Sequence, residues 1–66
     1  MKKQQIQYLL SIPAAAAEFG IGRSRLYELV YSDSTIPTIR VGEYTKINRT
    51  LFKEWLDKAT IEGRQL

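Results

Sequence analysis

Between Pro13 and Val30, the sequence PAAAAEFGIGRSRLYELV predicts two short helices separated by a glycine-containing turn. An alanine run is a strong helix former, and its small side chains allow a second helix to pack closely. Gly20 can take the left-handed backbone conformation in which a chain leaves a helix and reverses. The pattern therefore predicts a pair of short helices that cross over small residues.

The apolar residues of this segment recur at positions that would join the two helices. The second helix would begin with Arg23, Ser24 and Arg25, and its remaining polar surface includes Tyr27 and Glu28. One face is thus expected to be buried and another to be open to a partner. This division is typical of a helix-turn-helix DNA-binding motif, and the alternative is an ordinary helical hairpin with solvated arginines. The apolar residues expected to join the two helices are Ala16, Phe19, Ile21, Leu26 and Leu29.

Composition excludes most kinds of chemistry. The 66 residues contain no cysteine and no histidine. Disulfides, thiolate or imidazole metal sites, a cysteine nucleophile and a histidine general base are therefore excluded. A chain of this length forms one small domain whose core leaves no room for a deep catalytic cavity. We expect a binding protein without a cofactor rather than an enzyme.

The sequence carries no signal for a membrane or for export. No apolar run approaches the roughly 20 residues of a transmembrane helix. Lys2 and Lys3 lead into glutamines rather than into the apolar centre of a signal peptide. We expect a cytoplasmic location and no membrane partner. The two lysines fit either a flexible arm near DNA phosphates or a disordered start.

The excess positive charge is confined to one part of the chain. Residues 1–49 contain seven basic and four acidic residues, whereas residues 50–66 contain three of each. The predicted helix pair lies in the basic part. A positive field of this kind favours phosphate, although solvated basic faces are also common.

Capping residues set the expected boundaries of the helices. Ser11 suits an N-cap, and Pro13 suits the first helical turn because its missing amide proton is not needed there. Either Asn48 or Thr50 would cap a third helix with an apolar stripe. The expected helices run over residues 12–19, from 22 or 23 to 31, and over 49–60. The stripe of the third helix is Leu51, Phe52, Trp55, Leu56 and Ala59.

From Thr38 to Asn48 the apolar period changes to two, which predicts a β-hairpin whose tip is Gly42-Glu43. Residues 7–10 would form a short strand or pack their apolar side chains on the body, and residues 62–65 would form a frayed tail. This order of elements predicts a small α+β domain of the winged helix-turn-helix class, with a two-stranded hairpin as the wing. The hairpin's inward set would be Ile39, Val41 and Ile47, and its polar sides would carry Arg40 and Lys46.

Residues 8–57 also resemble a known family, the small excisionase-like domains related to the DNA-binding part of MerR-type regulators. The segment Ile36-Pro37-Thr38-Ile39-Arg40-Val41-Gly42, followed by a helix with Leu51 and Trp55-Leu56, is its most specific part. The other matching residues are Tyr8-Leu9-Leu10-Ser11, Ala15-Ala16, Phe19-Gly20-Ile21, Arg23-Ser24, Leu26-Tyr27 and Ile47.

The resemblance implies a protein of a phage or integrative element that binds double-stranded DNA and directs a tyrosine recombinase towards excision. Two positions depart from the family pattern. Ala14 stands where an acidic residue is usual, and Glu43 stands where a basic or small residue is usual after the wing glycine. Because phosphate repels an acidic wing tip, backbone contacts would fall to Arg40 and Lys46.

The candidate DNA-binding residues follow from this arrangement. Arg23 and Arg25 are expected to contact guanine edges or phosphates, and the sequence leaves open which of them does which. Ser24 can donate to a phosphate near the helix N-terminus. Tyr27 either packs beside the hairpin or contacts DNA, and Glu28 either accepts from a cytosine amine or stays solvated. The remaining candidates are Arg40, Lys46 and Arg49.

One small module of this kind covers few base pairs and binds weakly alone. No heptad stretch follows Leu56 in the sequence, so we expect cooperative self-association on adjacent sites or binding beside the recombinase, with bending of the DNA. The alternatives are a small transcriptional regulator with the same fold and a protein-interaction module that does not bind DNA.

Overall fold

The computed structural model describes residues 8–66. Over these residues the chain is a small α+β domain with three helices and a three-stranded antiparallel sheet. The predicted order of helix, helix, hairpin and helix is confirmed, whereas Lys2, Lys3 and Gln7 lie outside the described residues. The elements are β1 (Leu9–Ser11), α1 (Ile12–Phe19), α2 (Arg23–Ser32), β2 (Thr38–Val41), β3 (Tyr44–Asn48) and α3 (Arg49–Glu62).

The ends of α1 follow from its capping residues. The Ser11 hydroxyl accepts from the Ala14 amide at 3.2 Å, which satisfies one of the amides that a helix start leaves without a partner. Gly20 ends the helix with φ at 72°, a conformation that a residue with a Cβ adopts only at a cost. The Ile21 amide then donates to the Ala16 carbonyl at 2.9 Å. The predicted turn between α1 and α2 is confirmed.

The sheet has one more strand than the predicted hairpin. The strand order is β1-β3-β2, and Leu10 of β1 lies opposite Ile47 of β3. The segment before α1, for which the sequence allowed either a short strand or simple packing on the body, thus forms an edge strand. The amide of Arg49 donates to the Tyr8 carbonyl at 2.9 Å, which ties the start of α3 to the start of this strand. The sheet and α1 are therefore joined directly through Ser11.

The core lies between the sheet and the three helices. Its largest fully buried side chains are Leu26, Ile47 and Phe52, one each from α2, β3 and α3. The ring of Phe52 meets Phe19 edge-on, with 5.1 Å between ring centroids, and stacks on Trp55 at 5.7 Å. The other buried core residues are Leu10, Ile12, Ala15, Ala16, Ile36 and Ala59.

The hairpin corrects one prediction. Ile39 and Val41 are 51% and 45% exposed, so the expectation that they face inward is wrong. Directly opposite residues of an antiparallel pair share a face of the sheet. Ile39 lies opposite Lys46, whereas the buried Ile47 lies opposite Thr38. Ile39 and Val41 therefore lie on the face away from the core, because pairing with β3 fixes the phase of this edge strand.

Helix α3 decides between the two possible caps and corrects two expectations, the burial of Leu51 and the end of the helix. Asn48 rather than Thr50 is its N-cap and accepts from the Leu51 amide at 3.0 Å. Leu51 itself is exposed, because it lies about 100° around the helix from Phe52, at the edge of the stripe that faces the core. The helix continues two residues beyond the predicted end and stops at Gly63.

The predicted frayed tail is instead held at Arg64. Its guanidinium donates to Asp33 Oδ2 at 2.9 Å and lies 5.0 Å from the centroid of the Trp55 ring. The Thr35 hydroxyl accepts from the Trp55 indole at 3.0 Å and donates to Asp33 Oδ1 at 2.6 Å. These four residues form the C-terminal cluster, which joins the end of α2 to the end of α3.

The corrected face of the hairpin leads to a stability test on two isoleucines. Ile47→Ala should lower the free energy of unfolding by about 2–5 kcal/mol, because it leaves a cavity at a fully buried position. Ile39→Ala, the matched control on the outer face, should lower it by less than about 1 kcal/mol. Urea unfolding followed by Trp55 fluorescence measures both. Equal losses would place both side chains in the core and contradict the register.

The C-terminal cluster predicts a dependence of stability on pH. Hydrogen bonds from the Thr35 hydroxyl and amide, and then from Arg64, lower the pKa of Asp33 below its ordinary value of 3.8. Because the folded state holds the lower pKa, this stabilisation is complete above about pH 4 and is lost as the pH falls through the folded value. Asp33→Asn should remove the part of the loss of stability at low pH that protonation of Asp33 causes. The urea midpoint of unfolding at successive pH values measures this loss. The control Asp57→Asn, at an exposed pair with Lys53, should keep it.

Candidate nucleic-acid interface

Helix α2 presents its polar surface away from the core. Leu26 is fully buried in the core cluster, which fixes the rotation of the helix. With about 100° per residue, Ser24 and Glu28 lie one turn apart on the opposite, outermost side. Both are exposed. Any large partner that approaches this helix from solvent meets these two side chains first.

A groove separates α2 from the hairpin of β2 and β3. Its volume is about 270 Å³, and it is open to solvent. We call it the helix-hairpin groove and define it by five lining residues. Helix α2 contributes Tyr27 and Tyr31, and the hairpin contributes Arg40, Tyr44 and Lys46. The groove therefore combines three phenol rings with two basic residues, and so offers hydrogen-bond donors, positive charge and apolar surface together.

The basic residues of this side differ in their partners. Within residues 8–66, Arg23, Arg40 and Lys46 form no ion pair. Arg25, in contrast, forms an ion pair with Glu28: its Nη1 donates to Glu28 Oε1 at 3.1 Å, across one turn of α2. Glu43 also lines the groove, so the acidic residue of the hairpin tip shares it with Arg40 and Lys46.

The N-terminus of α2 lacks a side-chain cap. Gly22 is its N-cap and provides no side-chain hydrogen bond, so the amides of the first turn are not capped as those of α1 are. Ser24 and Arg23 lie in this first turn, and both are exposed. Uncapped amides, a hydroxyl and a guanidinium at a helix N-terminus favour an anion.

Arg49 is set apart from the other candidates. Its Nε–H donates to Glu18 Oε2, and both side chains are about two-thirds covered. This pair joins the start of α3 to α1. Arg49 does not line the helix-hairpin groove. Its contact with DNA stays a prediction, and the structure gives its guanidinium a role within the fold.

Sequence reasoning missed two residues of the groove, Tyr31 and Tyr44. Tyr31 follows Tyr27 by four positions, which places both rings on one flank of α2. Tyr44 is the first residue after the hairpin turn and pairs with Val41. The four-residue spacing of the two helix tyrosines was readable from the sequence. That the hairpin would meet the same flank depends on the packing of the helix and the sheet, which the spacing does not contain.

Among residues 8–66, no cluster of three or more acidic residues is arranged to hold a metal ion. None of the helices in that part of the chain has both the length and the apolar character needed to cross a bilayer.

Comparisons of this chain with protein-family models, with curated proteins and with solved structures give no match. The function of the interface is therefore argued from its own residues and their geometry.

Proposed function

We propose that this chain is a winged helix-turn-helix protein that binds double-stranded DNA, with α2 in the major groove and the hairpin of β2 and β3 as the wing. One observation carries the proposal: α2 and the hairpin flank a single groove, and Tyr27, Tyr31, Arg40 and Lys46 all line it. A helix beside a basic hairpin offers DNA a base-reading element and a backbone-binding element at once.

The size of α2 supports this orientation. Its ten residues rise by about 15 Å, and the major groove of B-DNA is about 12 Å wide. Ser24 and Glu28 would lie nearest the base edges, with Arg25 beside them. The smallest side chain of the three, Ser24, is at the start of the helix, where the uncapped amides also favour a phosphate.

The helix-hairpin groove would hold the sugar-phosphate backbone next to the major groove. Lys46 and Arg40 supply charge to the phosphates, and the hydroxyls of Tyr31 and Tyr44 can donate to phosphate oxygens. Glu43 opposes this attraction at the tip of the hairpin. The wing is thus expected to contribute contacts from its sides rather than from its tip.

The biological role we propose is that of an excisionase, which bends attachment-site DNA so that a tyrosine recombinase can act on it. Two features favour it: the sequence pattern that resembles excisionase-like domains runs through β1, the helix pair and the hairpin, and the domain is small. Small interfaces bind weakly, so copies on adjacent sites or the recombinase itself would have to add contacts. A transcriptional regulator of the same element uses the same DNA-binding surface.

A second candidate, a protein-interaction module that does not bind DNA, is favoured by the outer face of the hairpin. Ile39 and Val41 are both exposed there, two positions apart on the same face of the edge strand β2. Two exposed β-branched residues on a sheet edge suit contact with another protein. The two candidates differ in whether the basic groove residues matter for binding.

Charge substitutions at the interface test DNA binding directly. We expect Arg23→Gln and Lys46→Gln each to weaken binding to a random-sequence duplex several-fold at low salt. Each should also reduce the slope of log affinity against log salt by about one, because one phosphate contact is lost. Fluorescence anisotropy over a salt series measures both quantities.

Lys58→Gln is the matched control, since it removes the same charge from an exposed position on α3 that does not line the helix-hairpin groove. Equal effects of all three substitutions would show general attraction by net charge and contradict this interface. Absence of binding by the unaltered protein would favour the protein-interaction module.

The proposed excisionase role has its own test in gel-shift and bending assays. On DNA from the attachment ends of the protein's own element, we expect stepwise complexes whose mobility depends on the position of the site within the fragment, as bent DNA requires. Binding confined to a promoter of the element would favour the regulator. Single complexes on straight DNA at the attachment ends would count against an architectural role.

A further inference from the structure

We propose that Glu28 determines base specificity by holding the Arg25 guanidinium in one orientation, so that Arg25 reads a base while Arg23 contacts the backbone. This inference rests on the DNA-binding function proposed for α2. It assigns separate roles to two arginines that stand only two positions apart in the sequence.

The geometry begins with the position of Glu28 on α2. It lies on the outermost side of the helix, opposite the buried Leu26. Arg25 Nη1 donates to Glu28 Oε1 at 3.1 Å, and the two side chains keep 57% and 70% of their surface exposed. The pair is therefore formed in the free protein and remains accessible to a ligand.

The chemistry of the guanidinium makes this pairing useful. Arginine has five N–H donors in a rigid plane, and the bond to Glu28 engages one nitrogen. The remaining donors include an edge that can bind O6 and N7 of guanine together, which discriminates between bases by roughly tenfold or more. A guanidinium that is already held in place also loses less side-chain freedom when it binds.

Arg23 lacks such a restraint. No carboxylate within residues 8–66 pairs with it, and it lies in the first turn of α2, one turn before Tyr27 and therefore towards the flank that faces the helix-hairpin groove. A guanidinium without an ion-pair partner on this flank of α2 is suited to contact a phosphate. Because Glu28 pairs with Arg25 and not with Arg23, Arg25 is suited to read a base and Arg23 to contact the DNA backbone.

The negative charge of Glu28 has a second effect. At the outermost side of α2 its carboxylate opposes the phosphates of any duplex, and only a base that Arg25 recognises offsets this repulsion. Its removal should therefore strengthen binding to random DNA and weaken discrimination at the same time. A residue that only stabilises the helix would change both affinities together.

The test uses the full chain and a library of randomised DNA duplexes from which the preferred sequence is selected. The quantity measured is the ratio of affinities for the selected duplex and a random one. Glu28→Ala should lower this ratio about tenfold while it tightens binding to random DNA. Glu28→Gln should lower it less, because the amide oxygen still accepts from Arg25.

Glu43→Gln is the control for charge, since it removes the same charge from the hairpin tip, at the rim of the same interface. It should tighten binding to both duplexes equally and leave the ratio unchanged. Arg25→Ala should abolish the preference at one base pair, and Glu28→Ala should then have no further effect on the ratio. Circular dichroism confirms that each variant keeps its helical content.

Three results would overturn the inference. An unchanged ratio and selected sequence in Glu28→Ala would show that Glu28 does not contribute to specificity. A base preference that survives Arg25→Ala but disappears in Glu28→Ala would show that Glu28 contacts the base itself. Failure of the unaltered protein to bind any duplex would overturn the proposed function as well, and so differs from the first two results.

Discussion

The central strand β3 is the constraint on which the other elements depend. It pairs with β1 on one side and β2 on the other, and its Ile47 is fully buried beside Leu10. Helices α1 and α3 pack against the same strand. Because side chains alternate between the faces of a strand, this one buried isoleucine decides which residues of both neighbours face the helices. The position of the hairpin beside α2, and hence the existence of the groove, follows from it.

Local chemistry accounts for what the sequence predicted correctly. Ser11, Gly20 and Asn48 act within a few residues of their own positions, so their capping roles are legible from the chain alone. The alternation in residues 38–41 is also local, but it allows two opposite phases. Which phase faces the core depends on pairing with β3, and for this reason the sequence-based assignment of Ile39 and Val41 is wrong.

The site shows the same division between near and distant contacts. The candidate residues of α2 were found from their spacing, and the bond between Arg25 and Glu28 lies within one helical turn. In contrast, the bonds of Arg49 with Glu18 and of Arg64 with Asp33 each join residues 31 positions apart. No periodicity in the sequence indicates such pairs. They are consequences of how the helices pack, as is the position of Tyr31 in the same groove as the hairpin residues.

The C-terminal cluster fixes the far end of α2, while the Gly20 turn and the buried Leu26 fix its near end and its rotation. The helix is thus restrained along its whole length before any ligand arrives. A restrained element loses little conformational entropy on binding, which favours affinity in so small an interface. It also has little capacity to adapt its shape. Where α2 and the hairpin do not match a straight duplex, the strain of forming a complex falls on the DNA.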